Sequence, residues 1–91
     1  MKNAKIKMES DSMELNIISL RGIEYQGTIK SLNIRTTSGE ITVLDHHRPL
    51  VTVLDKGTAH IVDTKDNKQD VAIAGGFLEV SPANTINVLV D

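Results

Sequence analysis

The sequence is built from short runs in which apolar and polar residues alternate, and turn-forming residues separate these runs. Nowhere do apolar residues recur at spacings of three and four over more than two helical turns. Alternation at every second position places the apolar side chains on one face of an extended strand, whereas a helix needs a longer period. The pattern therefore predicts an all-β chain with no substantial helix.

The alternating runs predict about nine short strands in one domain. The first run changes phase after Ile17, which predicts a β-bulge near Ile17–Ile18. Gly27 is predicted to separate two strands. A two-layer antiparallel β-sandwich or a flattened barrel buries so many short strands, and closure leaves few exposed edges. The predicted strands cover residues 13–20, 23–26, 28–36, 40–44, 50–54, 58–63, 69–74, 77–81 and 85–90.

Composition narrows the kind of core and the kind of partner. The chain has 91 residues, of which 40% are apolar and only 2% aromatic, so the core must be aliphatic. There is no cysteine, which excludes disulfides, thiolate zinc sites and a cysteine nucleophile. The net charge of −2 and the single Tyr and Phe are unsuited to nucleic-acid binding. These features favour a protein that acts through contacts with other proteins.

The two ends of the sequence differ in character. Residues 1–12 are polar and charged, and they predict an N-terminal extension that is disordered or partly ordered. An expression tag would explain part of this segment equally well. Residues 13–91 are predicted to form a single β-sandwich domain. No apolar run reaches the roughly 18 residues of a membrane-spanning helix, so we expect no direct membrane span.

The sequence offers little support for catalysis. None of its serines lies in a nucleophile-elbow motif. Carboxylate pairs such as Asp63 with Asp66 lie in or near turns, where a solvated surface is the simpler interpretation. Gly75-Gly76 follows a strand, but no helical pattern comes after it, so a phosphate-binding loop is not indicated. We therefore expect no enzymatic activity and no cofactor.

The segment GEITVLDHHRPLVTVLDKG, in the middle of the chain, places a polar loop over residues 45–49 between two strands. The loop contains His46 and His47, and imidazole suits zinc or nickel, so a metal site that includes His60 is one hypothesis. This hypothesis is weakened because adjacent loop residues point in different directions and His60 belongs to another strand. Pro49 stiffens the end of the loop. The loop is thus either a contact surface on a rigid frame or an ordinary stiffened turn.

The same segment resembles a stretch of the N-terminal domain of the epsilon subunit of F-type rotary ATP synthases, in which a histidine–proline loop follows a glycine–glutamate step. The later stretch AGGFLEVSPANTINVLVD is similar to the end of that domain. The opening run LNIISLRGIEYQGTIKSLNIRTTSGE is similar to its first hairpins. The resemblance covers residues 13–91 and implies an antiparallel β-sandwich of about ten strands.

The resemblance also implies a mechanical function. Domains of this family couple the gamma subunit of the central stalk to the membrane c-ring and turn with the rotor during proton- or sodium-driven ATP synthesis. They carry no active site. A member would lie at the cytoplasmic face of the bacterial inner membrane, as a peripheral part of the complex. The alternative is a free-standing β-sandwich binding module, which could bind a metal through His46, His47 and His60.

The resemblance divides the expected site residues into two groups, one at interfaces and one in the scaffold. The expected interface residues, facing the c-ring or the gamma subunit, are Glu40, His47, Arg48 and Pro49. The expected scaffold residues are the turn glycines Gly39, Gly57, Gly75 and Gly76, and the late-strand residues Phe77, Leu78 and Val80.

Two features depart from the family pattern. Asp45-His46 stands where a proline–glycine pair is usual, and Arg48 stands where alanine is usual, so the loop is more charged. Many members continue into a C-terminal helical hairpin that inhibits the motor, whereas this sequence ends at Asp91. The resemblance therefore implies either a naturally short member or a chain cut at the domain boundary, without the inhibitory and ATP-sensing region.

Overall fold

The computed structural model describes residues 12–91, and within this range it contains eight β-strands and no helix. The predicted all-β class is therefore confirmed. The predicted extension over residues 1–12 lies, apart from Ser12, outside the described residues. No helix able to cross a membrane occurs in the part of the chain that is described. The strands are β1 (Met13–Ser19), β2 (Gly22–Thr36), β3 (Gly39–Leu44), β4 (Leu50–Leu54), β5 (Gly57–Asp63), β6 (Lys68–Ile73), β7 (Gly76–Val80) and β8 (Thr85–Val90).

Strand β2 connects the two layers because it is long enough to belong to both. Its first half pairs with β1, and its second half pairs with β3 and β5. Its last residue, Thr36, pairs with Leu54 of β4. The strand order is β1-β8-β7-β4-β2-β5-β6, with β3 beside β2 and β1 returning to β2. The path therefore closes on itself, as a flattened barrel does.

The count of about ten strands that the resemblance implies is slightly too high, and the nine strands predicted from alternation become eight because Gly27 does not end a strand. Gly27 pairs with Leu15 in the middle of β2, so the two strands predicted on either side of it are one. The side chain of Tyr25 folds over this glycine, and a Cβ at Gly27 would lie 3.4 Å from the Tyr25 hydroxyl. An aromatic neighbour thus fills the space that the missing side chain leaves in the strand.

One strand pair also differs from the predicted antiparallel arrangement. Strand β1 runs parallel to β8, with Leu15 beside Ile86 and Ile17 beside Val88. Every other pairing in the sheet is antiparallel. The hairpins β1–β2 and β7–β8 are each antiparallel, and they meet at β1 and β8. No local turn sets the relative direction of these two strands, so the sequence pattern could not predict it.

The register of β1 on β2 does change between Ile17 and Ile18, as the sequence predicts. The additional residue lies on β2, where the pairing passes from Tyr25 to Ile23 and skips Glu24. Strand β1 itself keeps its alternation, so that Ile17 is fully buried and Ile18 points outward. The change of phase in the sequence therefore marks an exposed apolar side chain, not a bulge in β1.

The core is aliphatic, as the composition requires. Alternate residues of all eight strands point inward, and most of these are less than 4% exposed. Because the inner faces are filled, side chains that carry function must lie on the outer faces, the edges or the ends. The buried apolar side chains are Met13, Leu15, Ile17, Ile29, Leu32, Ile34, Val43, Leu54, Ala59, Ile61, Ile73, Leu78, Val80, Ile86 and Val88.

Candidate functional site: the two outer faces and the loop end

A row of apolar side chains crosses the outer face of strands β4, β7, β8, β1 and β2. Val53 pairs with Phe77, which pairs in turn with Leu89. Leu89 lies beside Ile18, and Ile18 pairs with Ile23. These five side chains, here called the apolar row, are between 38% and 64% exposed. Paired residues share a face of the sheet, so the row is continuous and spans about 19 Å across five strands.

A polar row runs parallel to the apolar row on the same face, two residues away along strands β7, β8 and β1. Gln26 donates to Asn16 at 3.0 Å, Asn16 donates to Asn87 at 3.1 Å, and Asn87 donates to Glu79 at 3.2 Å. This amide ladder links side chains of four strands, and Asn16 and Asn87 each donate one of its hydrogen bonds and accept another. Its side chains are therefore ordered by their own hydrogen bonds before a partner binds.

The opposite outer face, formed by β3, β2, β5 and β6, is polar. Its central row contains Thr42, Asn33, His60 and Asp70, which lie side by side in register. Asn33 donates to Thr42 Oγ1 at 2.9 Å, and His60 Nδ1 lies 2.9 Å from Asp70 Oδ1. Leu44, at the end of β3, is an exposed large apolar side chain on this face. The two outer faces thus differ in chemistry although the same alternation builds both.

The polar loop over residues 45–49 lies at one end of the molecule, against the β7–β8 turn. His46 N–H donates to Asn84 Oδ1 at 3.1 Å, and Asn84 Nδ2 donates to Asp45 Oδ1 at 2.7 Å. His47 is half-buried and donates from Nδ1 to the carbonyl oxygen of Arg48 at 2.8 Å. Arg48 and the neighbouring proline are exposed. The loop therefore presents a cation and an imidazole from a fixed backbone.

Glu40 does not lie with the other predicted interface residues. It pairs with Arg35 at the far end of β3, next to the β2–β3 turn. The four residue steps from Glu40 to Leu44 alone span about 13 Å in an extended strand. A partner can reach both Glu40 and His47 only by lying along β3, which is an edge strand because, among the eight described strands, it pairs with β2 alone. The interface roles of these residues remain predictions.

The predicted turn glycines occupy the end of the molecule away from the polar loop. Gly39 opens β3 and Gly75 lies in the turn before β7, both with positive φ, and Gly57 opens β5 against the side chain of Arg35. Gly76 has the strongest requirement, since a Cβ there would lie 2.0 Å from the carbonyl oxygen of Leu89. This glycine allows β7 to approach β8 closely, directly below the apolar row.

The late-strand residues divide between core and surface. Leu78 and Val80 are buried, as expected of scaffold residues. Phe77 was expected in the scaffold as well, but it is 56% exposed and belongs to the apolar row. The sequence contains a signal for this: Ile18, Val53 and Leu89 are apolar residues at positions of the strand alternation that should be polar.

The hypothesis of a histidine metal site is not supported. His60 lies on strand β5 and contacts Asp70, whereas His46 contacts Asp45 in the loop. Among residues 12–91, no three His, Cys, Asp or Glu side chains are grouped so that they could hold a metal ion.

A shallow groove opens near the chain end, bordered by Arg21, Lys56 and Asp91. Its volume is about 260 Å³. This is below the range of roughly 300–1,000 Å³ that is typical of small-molecule sites. The groove is therefore a poor candidate for a substrate pocket, and the surface features described above are the stronger candidates for function.

Comparison with known proteins identifies the family. Residues 12–91 match the family described as ATP synthase, Delta/Epsilon chain, beta-sandwich domain. The chain is 31% identical over 84 residues to the ATP synthase epsilon chain of Lacticaseibacillus casei, covering 90% of this chain and 58% of that protein. It is 31% identical over 74 residues to the ATP synthase epsilon chain of Aquifex aeolicus, covering 81% of this chain and 54% of that protein.

Solved structures show the same fold. A chain of the Euglena gracilis mitochondrial ATP synthase, in a structure of OSCP, F1 and c-ring, aligns with a TM-score of 0.83 at 23% identity over 88% of this chain and 51% of its own length. A chain of the Tetrahymena thermophila mitochondrial ATP synthase, in a structure of central stalk and c-ring, gives 0.73 at 20% identity over 86% and 62%. The chain spans little more than half the length of the curated relatives cited above. It belongs to the family of ATP synthase delta/epsilon chains, as their β-sandwich domain.

Proposed function

We propose that this domain serves in the rotor of an F-type ATP synthase, where it couples the gamma subunit of the central stalk to the membrane c-ring. The apolar row is the observation that carries this proposal. Large contiguous apolar patches on a folded surface mark sites of protein contact. The chain belongs to the family of ATP synthase delta/epsilon chains, and the two solved structures that share its fold contain a c-ring.

The outer face with the apolar row is the surface we assign to the gamma subunit. Its centre is apolar and includes an aromatic side chain, Phe77, with Leu89 and Ile18 beside it. The amide ladder forms a polar border whose side chains are ordered by hydrogen bonds. An apolar centre with a polar border is the arrangement found in stable interfaces.

The c-ring contact is assigned to the loop end, through His47, Arg48 and Pro49. Arg48 is exposed, and it gives the loop a cation that a partner can reach. Glu40, at the far end of β3, joins the same contact if the ring lies along the β3 edge. Both contacts transmit torque and neither performs chemistry, so the domain is a non-catalytic subunit. As a peripheral part of that complex, the domain is assigned by this proposal to the cytoplasmic face of a bacterial inner membrane.

Two leucines on opposite faces allow a direct test. Leu89 in the apolar row is 54% exposed, and Leu44 on the polar face is 55% exposed. We expect Leu89→Ser to weaken binding to purified gamma subunit about four- to fifteenfold, because burying the exposed half of this side chain contributes roughly 0.8–1.6 kcal/mol. Leu44→Ser should leave the affinity within about twofold. Isothermal titration of gamma subunit into each variant measures both.

Equal affinities for the two serine variants would contradict the assignment of the apolar face. Phe77→Ser provides a second test of the apolar face, since this side chain lies near the middle of the apolar row. It should weaken gamma binding at least as much as Leu89→Ser. Circular dichroism should show unchanged folds in all three variants, because each replaced side chain is about half exposed already.

A further inference from the structure

A single amide side chain connects three distant segments at the loop end. Asn84 donates from Nδ2 to the carbonyl oxygen of Ser12 and to Asp45 Oδ1, both at 2.7 Å. Its Oδ1 accepts the N–H of His46 at 3.1 Å. Asn84 therefore joins the segment that enters β1, the polar loop, and the β7–β8 turn in which it lies.

The backbone on both sides of this connection has an uncommon conformation. His46 has φ of 63° and Asn84 has φ of 62°. Asparagine adopts the left-handed region readily, whereas histidine does so less often and persists there when its surroundings fix it. Two contacts fix His46: its N–H bonds to Asn84, and its Nδ1 lies 2.8 Å from Asp45 Oδ2.

Asp45 is the least exposed charged group of the loop. Its side chain is 20% exposed, compared with 75% for His46. One carboxylate oxygen accepts from Asn84, and the other lies within hydrogen-bond distance of the His46 ring. The β7–β8 turn carries no charged residue of its own. The Asp45 carboxylate is therefore held between the Asn84 amide and the His46 imidazole, and this fixes the start of the loop.

The contact residues follow immediately after this fixed point. His47 N–H donates to the carbonyl oxygen of Leu44 at 3.1 Å, which closes a turn around Asp45 and His46. His47 Nδ1 donates to Arg48 O, so the two side chains that face a partner depend on the same turn. If Asp45 and His46 move, the directions of His47 and Arg48 change with them.

We propose that Asn84 and Asp45 form a clamp that positions His47 and Arg48 for their partner. Neither Asn84 nor Asp45 needs to touch that partner. The effect of the clamp on loop order is a property of the isolated domain. Its effect on binding rests on the proposed function, in which the loop meets the c-ring.

The His47 amide reports on the clamp, since its hydrogen-bond acceptor is Leu44 and not a clamp residue. Asn84→Gly removes the side chain and still allows the positive φ, so it separates the hydrogen bonds from backbone strain. We expect amide exchange at His47, measured by NMR on the isolated domain, to accelerate about tenfold in Asn84→Gly and in Asp45→Ala. Asn33→Ala, on the polar face, is the control and should leave this rate unchanged.

Two results on the isolated domain would overturn the clamp. One is a His47 exchange rate that stays the same in Asn84→Gly. The other is a double variant, Asn84→Gly with Asp45→Ala, whose acceleration equals the product of the two single effects. Residues of one clamp should instead give a double variant close to either single variant, because the first change already releases the loop.

Binding measurements separate the clamp from the proposed function. Asn84→Gly should weaken binding to detergent-purified c-ring about tenfold and leave binding to the gamma subunit unchanged, which a general loss of stability would not do. If exchange at His47 accelerates while c-ring binding is unchanged, the positioning role is overturned although the loop contacts are real. If wild-type protein shows no c-ring binding, the functional assignment of the loop fails, and the exchange data still decide whether the clamp exists.

Discussion

The two outer faces of the sandwich are built by the same strand alternation and yet have opposite chemistry. On one face, Val53, Phe77, Leu89, Ile18 and Ile23 form a continuous apolar row. On the other, hydrogen-bonded polar pairs occupy the corresponding central row. Folding alone requires only that the inner faces be apolar. The apolar row is therefore not required by the alternation that builds the fold, and this is the reason we assign that face to a partner.

The position of the only phenylalanine strengthens this interpretation. An aliphatic core in a chain of 91 residues would gain from every large apolar side chain. Phe77 nevertheless lies on the surface, 56% exposed, at the centre of the apolar row. The exposed position of this side chain therefore supports the proposed docking face. The polar face carries Leu44 as an exposed apolar side chain but no aromatic one.

The largest expected effect on stability comes from preventing the close approach of β7 to β8 at Gly76, next to the apolar row. In Gly76→Ala the new Cβ would meet the carbonyl oxygen of Leu89 at 2.0 Å, so β7 and β8 must separate. We expect a loss of unfolding free energy of at least about 3 kcal/mol. Thermal or urea unfolding measures it.

Gly39→Ala is the matched control on the polar side of the molecule. Gly39 also has positive φ, 123°, but a Cβ there would meet nothing within 4 Å. We expect a loss of only about 1 kcal/mol, which reflects backbone strain alone. Equal losses in the two variants would mean that the β7–β8 contact contributes nothing beyond conformation.

We expect an intermediate effect on stability when the amide ladder is broken. Breaking a polar pair on the other face provides the comparison. Asn87 is half-buried and makes two side-chain hydrogen bonds within the ladder, to Asn16 and Glu79. Asn87→Ala should reduce the unfolding free energy by roughly 1–2 kcal/mol. Asn33→Ala breaks one exposed bond to Thr42 and should cost less than about 0.5 kcal/mol. Equal losses of unfolding free energy in the two variants would show that the ladder stabilises the domain no more than the single exposed bond does.

The smallest effect concerns pH and a turn beside the polar face. Hydrogen bonds from the backbone N–H groups of Asn67 and Lys65, which follow Asp63 in the β5–β6 turn, lower the pKa of the Asp63 carboxyl. The unfolded chain therefore binds this proton more readily, so Asp63 adds stability above its unfolded pKa and loses it as pH falls through the lowered value.

The measurement for this turn is the stability of wild-type protein relative to Asp63→Asn. The wild-type advantage should be present at pH 7 and shrink below about pH 4, near the ordinary pKa of an aspartate. Because Asp63 is only partly buried, the change in melting temperature should be small. An advantage that is constant from pH 7 to pH 2.5 would contradict the assigned role of the carboxylate.

Much of the fold follows from the sequence because alternation fixes which side chains face inward. The strands were predictable nearly everywhere, and the error in their number arose at Gly27. A glycine weakens a strand on average, but Tyr25 covers this one and keeps the strand continuous. The parallel pairing of β1 with β8 was not predictable, since it depends on how two distant hairpins meet.

The candidate site was harder to predict because it depends on register across five strands. Ile18 and Leu89 each look like minor departures from alternation when read along the chain. Only the pairing of β8 with both β7 and β1 shows that they continue the line that starts at Val53. Conversely, the sequence grouped Glu40 with His47, and the length of β3 separates them.

Hydroxyl-radical footprinting of the domain, alone and bound to the gamma subunit, tests the central claim most directly. It compares side chains of both faces in a single sample. We predict that oxidation of Phe77 and Leu89 falls several-fold on binding, whereas oxidation of Leu44 and His60 stays constant. Protection of Leu44 and His60 with unchanged oxidation of Phe77 and Leu89 would contradict the assignment of the apolar row as the docking face.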